Sequence, residues 1–322
     1  KNLPAPSLTD GSAYFKTVLY TGNGSDGRTV SGVGFDPDLV WIKNRSSTNW
    51  HTIQDTVTGI TWNGATNARD AFGNNSNVKT TNSDGFTLGT HNVVNGNTLT
   101  YVAWNWLESA TAGFDIVTYE GTGANGLGVT PQMIIGKNID QDNQEWGVYH
   151  EDVGATKAMF LDDDSAGNTN SIFFNNTAPT SSVFTVGTAD TMNGDGDTCI
   201  AYLFASVDGY SKVGFYTGNG NNDGTFVYCG FKPLWLLIKR TNSTGPWYLF
   251  DTVRKTYNMN RTMLYANIPN AEEVMTDATN PQLDFLSNGF KCRGSHSGFN
   301  GSSDTHIFLA FAESPFKYSN GS

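Results

Sequence analysis

The chain is short of charge and short of cysteine. Only 15% of its 322 residues are charged, and the balance is −11. Phosphate backbones are gripped by clustered Lys and Arg, so nucleic acid is not expected as a partner. Cys199, Cys229 and Cys292 are odd in number and widely spaced. They fit no metal pattern and no dense disulfide framework. Each lies in strand-like sequence and reads as a small buried apolar residue, with Cys229–Cys292 the one bridge worth checking. No apolar run nears the roughly 18 residues of a membrane span, so no membrane insertion is expected. The first residues do not read as a signal peptide. The five histidines form no i, i+4 zinc pair, and no Gly-x-Ser-x-Gly elbow is present.

What is abundant is glycine (36 residues) and aromatic side chains (13%). That profile describes many short strands joined by Gly/Asn turns, whereas helices would want Ala, Leu, Glu and Lys. The organising stretch is Tyr20-Thr-Gly-Asn-Gly24, then Gly34-Phe-Asp-Pro37, then Leu39-Val-Trp-Ile-Lys-Asn-Arg45. It returns as Tyr119-Glu-Gly-Thr-Gly123 with Met133-Ile-Ile-Gly-Lys-Asn138, and as Tyr216-Thr-Gly-Asn-Gly220 with Leu236-Leu-Ile-Lys-Arg240. The tyrosines are 99 and 97 residues apart (119 − 20 and 216 − 119). A period that long is a domain-sized unit.

The expected architecture is therefore all-β, with three tandem β-sandwich-like pseudo-repeats of about a hundred residues packed closely. Their bounds are 14–111, 112–208 and 209–322, the last with a short C-terminal tail. Residues 1–13, with Pro4 and Pro6, read as an extended lead-in outside the core. Each repeat closes on an apolar strand: Tyr101 to Trp106, Cys199 to Ala205, and His306 to Ala312. The short linkers leave a pseudo-threefold cluster and a linear stack both open. Pro269 to Asp277 is the one expected short helix, with Pro first and Glu272 and Glu273 in the first turn. Ala68 to Phe72 hints at a further helical turn.

Candidate chemistry is sparse. Asp162-Asp163-Asp164 and the pair Asp195 and Asp197 look like calcium-loop fragments, yet lack EF-hand spacing and read better as turns. Asp55, Glu151 and Asp251 fall at one strand end per repeat, where a structural role outweighs a catalytic one. Lys43, Lys137 and Lys239 each end an apolar strand. They read as strand-end lysines reaching water, or as a grip on an acidic sugar or a partner. Aromatic faces stack on sugar rings, which makes tryptophans the main binding candidates. Trp50, Trp146 and Trp247 recur and read as core. Trp62, in Gly59-Ile-Thr-Trp-Asn-Gly64, has no counterpart and is the candidate ligand or interface contact.

The boxes 20–45, Asn82-Ser-Asp-Gly-Phe-Thr-Leu-Gly89 and Tyr101-Val-Ala-Trp-Asn-Trp106 resemble a family of tailed-bacteriophage virion proteins. So do Phe226-Val-Tyr-Cys-Gly-Phe-Lys-Pro233, Ser287-Asn-Gly-Phe-Lys291 and Ala310-Phe-Ala-Glu-Ser-Pro-Phe316. The family is known mainly as an uncharacterised domain in tail-fibre and other structural proteins of marine phages and cyanophages. The resemblance spans about residues 14–318 and implies a virion-surface protein, foremost a tail fibre or receptor-binding segment that attaches by binding. A head fibre, capsid decoration or adaptor is the second implication, and a polysaccharide-degrading tailspike the third. No catalytic motif comes with the family, so no catalytic residue, cofactor or metal is expected. The expected partners are other virion proteins, further copies of the chain and a host-surface glycan or receptor. Repeat two departs from the pattern at Glu120, Thr122 and Gly136, which weakens any site shared by all three repeats.

Overall fold

The computed structural model describes residues 8–277 and 279–312. Residues 1–7 of the lead-in and 313–322 of the tail lie outside the described residues. Among the described residues strands dominate, joined by turns, two 3-10 turns and four single-turn helices.

Three antiparallel sheets share one strand order. The first runs Phe15–Thr21, Thr100–Trp106, Leu39–Asn44, Thr52–Asp55. The second runs Phe114–Tyr119, Cys199–Phe204, Met133–Asn138, Gly147–His150, and continues with Lys157–Phe160. The third runs Ser211–Thr217, Thr305–Phe311, Trp235–Arg240, Trp247–Asp251, and continues with Thr262–Tyr265. We call these lobes one, two and three. In lobe one the fifth strand shrinks to a single bridge between Ile53 and Gly64.

The near-continuous apolar runs follow from burial on both faces of each sheet. Alternation sends Leu39 and Trp41 to a central core, and Val40 and Ile42 to an outer one. Lobe two divides Met133 and Ile135 from Ile134 in the same way, and lobe three Trp235 and Leu237 from Leu236 and Ile238. The central core thus draws side chains from all three sheets. Trp106 and Trp235 meet edge to face there, 5.6 Å between ring centroids. The remaining void, about 10 Å³, is too small for a ligand. Each outer core is covered by a small second sheet, such as Arg28–Ser31, Gly85–Leu88 and Val78–Asn82 in lobe one.

The Tyr-Thr-Gly-Asn-Gly box has a packing reason. A one-turn helix, Asn92–Asn95 or Ser297–Asn300, precedes the closing strand. The amides of Gly24 and Gly220 donate to the carbonyls of Asn95 and Asn300. Those of Asn23 and Asn219 donate to the same asparagines' Oδ1 atoms. A side chain at Gly22 would strike the Gly96 carbonyl at 2.1 Å, so glycine is required.

Several expectations need correction. Residues 269–277 form no helix; Glu273–Val274 is a short strand, and Glu272 is drawn out to Arg45 and Arg254. Tertiary ion pairs outweigh a weak helix start there. Ala68 to Phe72 contains no helical turn, because Arg69 and Phe72 reach across to lobe two. Leu8 is buried in the central core, so the described end of the lead-in belongs to the fold. All three cysteines are free and buried, which removes the Cys229–Cys292 bridge.

Candidate functional site

The strand lysines do not reach water. Alternation along Leu39–Asn44 points Lys43 the same way as Trp41, and Lys43, Lys137 and Lys239 are all fully buried. Each amine is answered by carbonyls. Lys43 Nζ donates to Asn44 O (2.9 Å) and Pro269 O (3.1 Å). Lys239 Nζ donates to Arg240 O (2.7 Å) and Asp164 O (3.1 Å), and Lys137 Nζ to Gln144 O (2.6 Å) and Arg69 O (3.4 Å). Burial depresses Lys43 to about 7 and the other two to about 8. An acidic sugar therefore cannot be gripped by them.

In every case the distant carbonyl belongs to a neighbouring lobe. The same three carbonyls, Arg69, Asp164 and Pro269, also accept the backbone amides of Gln144, Gly245 and Asn49. Four residues earlier, Ala65 O accepts from Trp146 Nε1, and Phe160 O from Trp247 Nε1. The third such contact joins His51 Nε2 to Tyr265 O at 2.7 Å. Lobe two thus holds lobe one, lobe three holds lobe two, and lobe one holds lobe three. The lobes form a closed ring, which decides between cluster and stack.

This register reassigns two sequence equivalences. Lys239 pairs with Trp247, and Ile42 with Thr52, so His51 (not Trp50) matches Trp146 and Trp247. Leu39 pairs with Asp55, Met133 with His150 and Trp235 with Asp251, so His150 (not Glu151) is the lobe-two counterpart. Asp55 and Asp251 are fully buried and serve the ring. Tyr202 Oη donates to Asp55 Oδ2 at 2.9 Å, and Trp104 Nε1 to Asp251 Oδ2 at 3.3 Å. At the third interface Leu309 stands in the donor's place and His150 in the acceptor's, so both polar partners change together.

The acidic turns are also committed to structure. Asp162 takes Arg69 Nε at 2.7 Å and the Trp146 amide at 2.8 Å; Asp197 takes Asn138 and Gln141 side chains. No cluster of three potential metal ligands occurs among the described residues.

Surface concavities of similar size occur on more than one lobe; one of about 210 Å³ is lined by Asp152, Lys157, Phe215 and His306 among others. A cleft of about 230 Å³ in lobe one is lined by Trp50, Asn63, Asp70, Asn77 and His91 among others. Trp50 is 52% exposed. Counting back one from the ring residues, Glu145 and Pro246 stand where Trp50 does, so the tryptophan is peculiar to lobe one. Asn77 is 96% buried, and its Oδ1 has no partner; Asn63 Oδ1 is likewise buried without one. Asn77 Nδ2 leans on Thr52 Oγ1 at 3.5 Å. His91 Nδ1 accepts the Val93 amide, which leaves Nε2 as the ring donor.

Trp62 is 43% exposed but is not among the residues lining the cleft. It neighbours Asn63 on the short strand Trp62–Asn63, whose side chains alternate between faces. Sequence reasoning missed Trp50 because it sits one residue from a recurring position. The signal was there: eight residues on from Lys43 and Lys239 lie His51 and Trp247.

Fold and cleft define an all-β protein of three like sheets around one core, with a small polar-aromatic recess on one lobe. Residues 10–315 match the family described as a domain of unknown function (DUF7483), and the chain belongs to that family. No curated protein matches it.

Proposed function

We propose that this chain is a virion-surface protein of a tailed bacteriophage, foremost a tail fibre or receptor-binding segment, and that it acts by binding. The observation that carries the binding reading is the cleft of lobe one, where a half-exposed Trp50 shares the lining with Asp70 and His91. An exposed tryptophan has unmet apolar contacts, which a ligand supplies. The phage assignment rests on the sequence boxes named above.

Catalysis has less support. A glycosidase needs two carboxylates facing one sugar, and Asp70 is the single carboxylate lining the cleft. Asp55 and Asp251 lie in the interior, held by Tyr202, Trp104 and Arg254. A structural role as head fibre, capsid decoration or adaptor is the second reading. Phe226 and Tyr228 favour it, exposed on alternate residues of an edge strand of lobe three. Such a strip suits a neighbouring virion protein or a second copy of the chain.

The test is gold-labelled antibody raised against the purified chain and applied to particles that carry it. Label at the tail tip supports the first reading. Label over the capsid transfers support to the second, and particles without label overturn both.

A further inference from the structure

We infer that the cleft of lobe one is a monosaccharide-sized site for a neutral sugar, with Trp50 as the stacking platform. The inference rests on the binding reading above but not on where in a particle the chain sits.

Three observations converge. The first is shape: about 230 Å³ lies just under the roughly 300–1,000 Å³ of sites for drug-sized ligands, which suits a single pyranose ring. The second is the aromatic wall. Trp50 offers an apolar face at the rim, and the C–H face of a pyranose is its natural complement. The third is the polarity of the wall. Asp70 lines it with an exposed carboxylate, an acceptor that calls for hydroxyl donors, while the Asn77 and Asn63 Oδ1 atoms lie beneath the surface.

The same polarity selects against acidic sugars. No Lys or Arg lines the cleft, and the lysine of this sheet, Lys43, is sealed in the lobe interface. A uronic or sialic carboxylate would face Asp70 with no cation to answer it. His91 supplies one donor from Nε2, which fits a ring or acetamido oxygen. The counterpart positions Glu145 and Pro246 lack the aromatic wall, so one site per chain is expected.

The experiment is saturation-transfer NMR on the purified chain. Its probes are the methyl glycosides of glucose, galactose, mannose and N-acetylglucosamine, with methyl glucuronide as the acidic control. At least one neutral glycoside should receive saturation at millimolar concentration, and the glucuronide should not. Trp50→Ala should weaken that binding about tenfold or more, while Trp62→Ala leaves it unchanged. Asp70→Ala should weaken it too, and its exposed position keeps the variant folded. A melting curve for each variant separates lost binding from lost structure. No transfer to any neutral probe, equal transfer to the glucuronide, or binding indifferent to Trp50 would overturn the inference. Tail-tip gold label alongside any of those results would leave the virion reading standing without this site.

Discussion

His51 Nε2 and the carbonyl of Tyr265 meet at 2.7 Å across 214 residues of chain. The tautomer follows from the other side of the ring, where Trp41 Nε1 donates to His51 Nδ1 at 2.9 Å. Nε2 therefore carries the hydrogen and donates. Two tryptophans make the corresponding bonds at the other interfaces; here an imidazole relays the Trp41 indole to the next lobe. Burial holds His51 neutral, well below its usual range.

Replacing His51 with Phe keeps a ring in place but strands both the Trp41 indole N–H and the Tyr265 carbonyl. Each buried unpaired group costs about 1–3 kcal/mol, so His51→Phe should lose roughly 2–4 kcal/mol in a urea titration. A loss under 0.5 kcal/mol would remove His51 from the closure of the ring.

The depressed histidines predict acid sensitivity. His51 lies well below 6.5, and His150 and His306 are lowered to about 4, in each case chiefly by burial. The unfolded chain binds these protons first, so their contribution is complete above pH 6.5 and is lost as pH falls toward 4. His51→Gln keeps a polar side chain without the titration, and should flatten the stability curve between pH 6.5 and 4.5. An unchanged slope would count against it.

The lysines predict the same sign at alkaline pH. Lys43 is lowered from 10.5 to about 7 by burial, so the unfolded chain holds a proton that the folded chain gives up between those values. Its two carbonyl acceptors can both be served by a neutral amine, which has two N–H groups. The stability of wild type minus that of Lys43→Met should therefore rise from pH 7 toward 10. A difference constant with pH would refute the assignment.

The two buried carboxylates should differ in weight. Asp251 holds Arg254 in a fully buried pair at 2.5 Å, so Asp251→Ala leaves a buried cation short of its main partner. That should cost about 3–5 kcal/mol. Tyr202→Phe removes one bond from Asp55, which keeps the Thr58 amide, and should cost about 1–3 kcal/mol. Denaturant midpoints rank the two, and the reverse order would overturn this account.

Tryptophan truncation should separate core from surface. Trp146→Ala empties a fully buried site that also bonds Ala65 O, and should cost about 3–5 kcal/mol. Trp50→Ala and Trp62→Ala should stay within about 1 kcal/mol of wild type in the same titration. A large loss at Trp50 would make it a packing residue and weaken the cleft's claim.

Much of this was legible in the sequence, because short-range chemistry carried it. The strand runs, the Gly/Asn turns and the recurring lysine needed only period-two alternation and turn stereochemistry. That the lysines would be buried was not legible. A strand-end lysine looks the same whether it meets water or a neighbour's carbonyl, and Arg69, Asp164 and Pro269 lie far away in sequence. The helix expected at 269–277 failed for the same reason, since Arg45 and Arg254 claim Glu272 from outside its own segment.

The cleft shows the division most sharply. The residue types it uses were visible, and so was the idea that a non-recurring tryptophan belongs to the surface. Which tryptophan that is depended on a register shift of one residue, which strand pairing settles and composition does not. By itself the sequence determined an all-β chain with a hundred-residue period and aromatic, lysine-ended strands. Only the tertiary structure decided that three sheets close into a ring, that His51 completes it, and that Trp50 is left facing outward. The reason is physical: ring closure joins groups roughly 70 to 230 residues apart, and no local preference encodes a contact of that range.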